Sequence, residues 1–193
     1  MKRHSEVKRK TAETSISLYL NIDGGGDFAG SSCIPFLDHM LSLWAHHGKV
    51  SLNLSCEGDL EVDGHHTVED IGICLGQCIL EALGDKKGIN RYGWAFVPMD
   101  EALAMVALDI SGRPFLEYDV QFANQRAGRF DAELVEEFLR ALCARAGITM
   151  HVRLISGKNT HHIIEAIFKA FARAFKEAAD VSGDVVPSTK GMI

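Results

Sequence analysis

"GHHTVEDIGI", residues 64 to 73, returns in the second half of the chain as "THHIIEAIF", residues 160 to 168. Each copy places two adjacent histidines ahead of a glutamate and an apolar run. On a helix, residues three and four apart are neighbours, so Glu69 can lie beside His65 and His66, and Glu165 beside His161 and His162. The two histidines of a pair point about 100° apart at 3.6 residues per turn, so one pair addresses two places. Two metal positions would use this pattern, each drawing an imidazole from either motif and a carboxylate to complete its donors. Mixed imidazole and carboxylate ligation suits Mn, Fe, Zn or Ni better than Ca or Mg.

Outward from the motifs, the same order of elements is written twice. "TSISLYLNI" (14–22) alternates as a half-buried strand does, "DGGGDFAGSS" (23–32) reads as loop, and "IPFLDHMLSLWAHHG" (34–48) has helical apolar spacing ending on Gly48. "KVSLNLSCEGDLEVDG" (49–64) predicts a hairpin around Glu57-Gly58-Asp59, and a helix follows over 65–83, closed by Gly84. The second half predicts strands at "EALAMVALDI" (101–110) and "PFLEYDVQF" (114–122), and a helix at "DAELVEEFLRALCARAG" (131–147). A strand at "ITMHVRLIS" (148–156) and the helix "HHIIEAIFKAFARAFKEAA" (161–179) complete it. "GDKKGINRYG" (84–93) is too short and mixed for a flexible tether. The expectation is an internally duplicated α/β chain of α+β type, with mixed or antiparallel sheets and helices on one face. It forms one domain, 1–193, of two halves, about 1–91 and 92–193.

A net charge of -6 and a pI near 5.8 argue against a nucleic-acid binder, whose domain pI usually exceeds about 9. "MKRHSEVKRK" leads into an alternating segment rather than an apolar signal core, and no apolar run approaches the roughly 18 residues of a membrane span. The chain reads as soluble and cytoplasmic. Cys33, Cys56, Cys74, Cys78 and Cys143 lack the spacing of a disulfide framework and read as small buried hydrophobes. Among the other histidines, His39 reads on its own as a hydrogen-bonded core residue. His46 and His47 suit the dipole at a helix end, and His4 and His151 look non-ligating.

"IPFLDHML" (34–41), "DGHHTVEDIG" (63–72), "GINRYG" (88–93), "VPMDEALA" (97–104), "DISGRPFLEY" (109–118), "HHIIEAIFKAFARA" (161–174) and "PSTKG" (187–191) follow one another over nearly the whole chain. In that order they resemble the imidazoleglycerol-phosphate dehydratase family. The resemblance implies a fold like domain 2 of ribosomal protein S5. It also implies a manganese-dependent hydro-lyase of L-histidine biosynthesis that converts D-erythro-imidazole-glycerol phosphate to imidazole-acetol phosphate and water. Two Mn(2+) ions per active site and a homo-oligomer of 24 subunits with shared active sites come with it.

Carried onto this chain, the resemblance implies one metal held by His39, His65, Glu69 and His162, and another by His66, His161 and Glu165. Where the family often supplies a further histidine, Glu137 stands, so either a carboxylate ligates or that sphere is one protein donor short. Leu43 and Thr189 are further departures, at positions where relatives carry glutamine and serine.

The chemistry explains why such residues are wanted. A proton must leave a carbon beside an imidazole with no carbonyl nearby, so the ring is the electron sink, and Lewis-acid stabilisation at its nitrogens favours the charged ring. Glu165, Glu13 and Asp100 are the candidate acid–base groups. Arg91, Arg113, Lys169, Ser188 and Lys190 are the candidate phosphate clamp, local cations in an acidic chain. A metal-stapled structural or storage assembly is the rival from another class, and it has no use for that clamp. A metallohydrolase lacks its HExxH or HxxEH signature here.

Overall fold

The computed structural model describes residues 3 to 191 and residue 193. Strand β1 (His4–Lys10) pairs antiparallel with β2 (Thr14–Asn21), whose other edge pairs antiparallel with β4 (Ser51–Gly58). Strand β3 (Phe28–Ser31) lies parallel to β4, giving the order β1-β2-β4-β3. The second half repeats this with β5 (Tyr92–Met99), β6 (Ala102–Asp109), β10 (Thr149–Ser156) and β7 (Phe115–Asp119). Their order is β5-β6-β10-β7, again antiparallel, antiparallel, parallel. A small hairpin of β8 (Arg126–Ala127) and β9 (Phe130–Asp131) precedes the third helix.

Helices α1 (Pro35–Gly48) and α2 (His65–Leu83) belong to the first half, α3 (Leu134–Ala146) and α4 (Thr160–Ala179) to the second. Helix α2 lies on β1 and β2, α4 lies on β5 and β6, and between the sheets α1 packs on α4 while α2 packs on α3. Each sheet is therefore covered on one face, as an α+β arrangement of mixed sheets requires. Trp44 is fully buried against Phe171 and Phe175, with ring centroids 5.5 Å apart in both pairs. Gly72 and Gly76 let α2 approach the α3 backbone: a Cβ at either would stand 2.6 Å from the carbonyl oxygen of Phe138 or Leu142.

Three strands escape a hydropathy reading, each for a physical reason. The inward side of β1 is polar on either side of Val7: Ser5 donates to Glu81, and Arg9 pairs with Asp70 at 2.8 Å. Strand β5 inverts the usual pattern, with Tyr92, Trp94 and Phe96 exposed and the small Gly93 and Ala95 turned to α4. Strand β3 runs through the stretch expected to be loop, and its Gly30, at φ +94°, sits against the Leu54 carbonyl. The expected hairpin at Glu57-Gly58-Asp59 has only its first strand. After Gly58 the chain turns, with Val62 N donating to Asp59 O, and enters α2. Among the described residues no helix is long and apolar enough to cross a membrane.

Candidate functional site

Both histidine pairs occupy the first turn of a helix, and in both halves the turn between the first two strands faces that helix start. Asn159 caps α4 by accepting from the amides of His161 and His162. Asp63 accepts from the amide of His65 at the start of α2.

In the second half, Glu101 on the β5–β6 turn accepts from His162 Nδ1 at 2.7 Å and from the amides of Lys158 and Asn159. The hydrogen bond from His162, then those two amides, hold the Glu101 carboxyl down to about 2. An ionised carboxylate only accepts, so His162 Nδ1 carries the proton and Nε2 presents a lone pair. That Nε2 lies 3.7 Å from Asp100. The first half repeats the device: His66 Nδ1 donates to Asp59 at 2.9 Å, and its Nε2 stands 3.8 Å from Glu13. Those hydrogen bonds, to Glu101 and Asp59, push both imidazoles above their ordinary 6.5.

Beside His162 the second half gathers three donors. His39 Nε2 and His161 Nε2 stand 3.4 and 3.2 Å from one oxygen of Glu165, and the three ligand atoms lie within 4.8 Å of one another. Lys169 donates to the other Glu165 oxygen at 2.5 Å. Burial alone would raise the Glu165 carboxyl; the Lys169 hydrogen bond and charge, with His39 and His161, outweigh it and hold it below the carboxylate range. Among the described residues this is the one group of three or more such donors already drawn together. The donor set fits a divalent metal of the first transition row. Within one chain His39 thus stands with His161 and Glu165. Its partners come from α4 because α1 packs on α4.

The expected phosphate clamp divides. Lys169 lies at the donor cluster. His47, read from the sequence only as suiting the helix-end dipole, is held below 6.5 by burial and by the charges of His46, Lys169, Arg173 and Lys49. Arg91, Arg113, Ser188 and Lys190 collect elsewhere. Arg91 donates twice to Asp109, at 2.7 and 3.1 Å, and once to the carbonyl of Pro187, at 2.9 Å. Three of its five N–H donors are so engaged, two on Asp109 and one on the tail that carries Ser188 and Lys190. Arg113 is exposed, 3.6 Å from Asp109. Arg91 and Asp109 mark the far end of the β5–β6 hairpin from Asp100 and Glu101. Eight residues of strand at about 3.3 Å each put roughly 25 Å between the two groups. Glu137 is half-buried on α3, Leu43 packs against the core, and Thr189 is exposed. The sequence also gave no signal for Asp59 and Glu101 as histidine partners, since each is one acid among many on turns.

A family model described as imidazoleglycerol-phosphate dehydratase matches residues 32–175. The Carboxydothermus hydrogenoformans protein of that name is 56% identical over 191 residues, covering 99% of this chain and 100% of that protein. The Moorella thermoacetica protein of the same name is 54% identical over 195 residues, covering both chains fully. The crystal structure of imidazoleglycerol-phosphate dehydratase from Staphylococcus aureus superposes with a TM-score of 0.85 at 43% identity, over 93% of this chain and 99% of that one. With the histidine motifs, the repeated sheet order and this full-length likeness in agreement, the chain belongs to the imidazoleglycerol-phosphate dehydratase family.

Proposed function

We propose that the chain carries out its family's hydro-lyase reaction at sites completed between subunits, with donors from one chain and a phosphate clamp from another. The reaction converts D-erythro-imidazole-glycerol phosphate to imidazole-acetol phosphate and water, in L-histidine biosynthesis. The observation that carries the shared site is the separation within one chain of the His39, His161 and Glu165 cluster from the Arg91, Arg113 and Lys190 group. A phosphorylated imidazole of three further carbons does not span roughly 25 Å of strand.

His39, His161 and Glu165 form one donor group, and His65 and Glu69 belong to another. His66 and His162, each steered by its own carboxylate, offer Nε2 to a position on a neighbouring chain. A divalent metal bound there supplies Lewis-acid stabilisation of negative charge on the substrate's ring. We take it to be Mn(2+), two per active site, on the chemistry of the donors and their duplication. Glu165 was expected to serve as both ligand and acid–base group. Its oxygens are engaged by Lys169 and the two imidazoles, so we assign it to the metal. Proton transfer falls to Glu13 and Asp100, which sit on equivalent turns beside the two steered imidazoles. Lys169 meets the phosphate at the donor end, while Arg113, Arg91, Ser188 and Lys190 clamp it from the neighbouring chain.

A homo-oligomer, of 24 subunits by family likeness, follows from that reading. The exposed Tyr92, Trp94, Phe96, Phe115 and Ile155 of the second sheet supply apolar surface for it. One domain of two similar halves accounts for the repeated strand order. Five free cysteines suit a reducing, cytoplasmic setting.

The test is to measure metal per chain in the purified protein and to follow turnover of imidazole-glycerol phosphate before and after chelation. Metal-dependent turnover is expected. Tightly held metal without turnover would establish the structural staple instead.

A further inference from the structure

The turn that carries Glu13 is tied to helix α2 by a chain of hydroxyls whose direction is fixed at one end. Asp70, buried on α2, accepts from Thr14 Oγ1 at 2.5 Å and pairs with Arg9 Nε at 2.8 Å. A hydroxyl has one proton to give. Thr14 spends its own on Asp70, so Thr11 is the donor in the 3.2 Å contact between the two threonine hydroxyls. Thr11 Oγ1 is left with its lone pairs, and it accepts from the amides of Glu13 at 3.1 Å and Thr14 at 2.9 Å. Thr11 N closes the turn on the Thr14 carbonyl. The buried carboxylate thus sets the direction of every hydroxyl bond in the turn. At its far side the turn meets the histidine motif. The Glu13 carbonyl accepts from Asp59 N at 3.1 Å, and the Glu13 carboxylate stands 3.8 Å from His66 Nε2.

Packing alone does not call for the Thr14 and Asp70 pair. Strands β2 and β6, eight residues each, match Thr14 with Ala102 and Glu13 with Glu101, and the two histidine motifs match Asp70 with Ala166. Both alanines are buried. A buried carboxylate and hydroxyl carry a desolvation cost that two alanines avoid. The second half holds its turn another way, through the Glu101 carboxylate on the amides of Lys158 and Asn159. Among the described residues the Glu13 carboxylate accepts no hydrogen bond, so its turn is held from beneath and the carboxylate stays open beside His66.

We infer that Asp70 is a positioning residue for the reaction, fixing the Glu13 turn through the hydroxyls of Thr14 and Thr11 so that Glu13 is held at the site with its carboxylate unspent. The inference rests on the assignment of proton transfer to Glu13.

Steady-state kinetics of the Mn(2+)-loaded protein, beside Mn(2+) titration of the stripped protein, tests it. Asp70→Ala and Thr14→Val should each lower kcat about 10- to 100-fold with KM within about twofold, because misplacing a reacting group by about 1 Å is that costly. Thr14→Ser, which keeps the hydroxyl, should recover most of kcat. Mn(2+) affinity should stay at the parent's value in all three, which shows that they fold. Glu13→Gln combined with Thr14→Val should be no slower than Glu13→Gln alone, because a residue acting through Glu13 then has nothing left to position. Three results would overturn the inference while the Glu13 assignment stands: parental kcat in Asp70→Ala and Thr14→Val, a combined variant slowed by the product of the single losses, or a kcat loss matched by an equal loss of Mn(2+) affinity. Parental kcat in Glu13→Gln overturns both.

Discussion

At the residue scale, the site depends on which histidine nitrogen is left free. Glu101 and Asp59 each accept a hydrogen bond from the Nδ1–H of a motif histidine and so commit Nε2 as a lone pair. Glu101→Gln and Asp59→Asn should each weaken Mn(2+) affinity by roughly 10- to 100-fold, read by metal titration of the stripped protein. The same pairs set a pH dependence. The raised pKa values of His66 and His162 give the metal-free fold stability that is complete below about 6.5 and lost as pH rises through the folded values. The depressed Glu101 contributes above its ordinary 4.5 and is lost only as pH falls towards about 2. Metal-free protein should therefore unfold at its highest temperature between about pH 4.5 and 6.5. Mn(2+) should move that optimum upward, because metal needs the neutral imidazole. Thermal unfolding across pH, with and without Mn(2+), checks both.

At the element scale, the turn that faces the α4 histidines is positioned by unusually close backbone packing. Gly93 on β5 faces α4 so tightly that a Cβ would stand 2.0 Å from the Ala174 carbonyl oxygen. That contact fixes the β5–β6 hairpin on α4, and the hairpin's turn carries Asp100 and Glu101 to the α4 start. Gly93→Ala should cost about 1–3 kcal/mol by forcing strand and helix apart. It should appear as a lower denaturant midpoint at unchanged slope, with a loss of activity larger than the loss of folded protein.

At the scale of the whole molecule, the proposal that donors and clamp at opposite ends of one hairpin serve different sites implies that the isolated chain is an incomplete catalyst. Glu165→Gln and Arg113→Gln should each be nearly inactive alone. Dissociated, mixed in equal amounts and reassembled, they should recover about a quarter of parental activity, because random pairing in a symmetric assembly leaves that share of sites with both ends intact. If both ends served one chain's own site, mixing would restore nothing.

The sequence determined the duplication, the helices bearing both histidine motifs and the apolar helix that carries His39. These are local patterns, fixed by period 3.6 or 2 and by residue chemistry. Strands β1, β3 and β5 were not legible, because ion pairs and glycine-scale contacts take up much of their inward faces and leave each only a few apolar side chains on the core. Only the tertiary structure decided which donors meet. Packing of α1 on α4 gives His39 to His161 and Glu165, and the length of β5 parts that cluster from the arginines. Spacing along a chain fixes what shares a helix face, but which helices face each other is a property of the packed core.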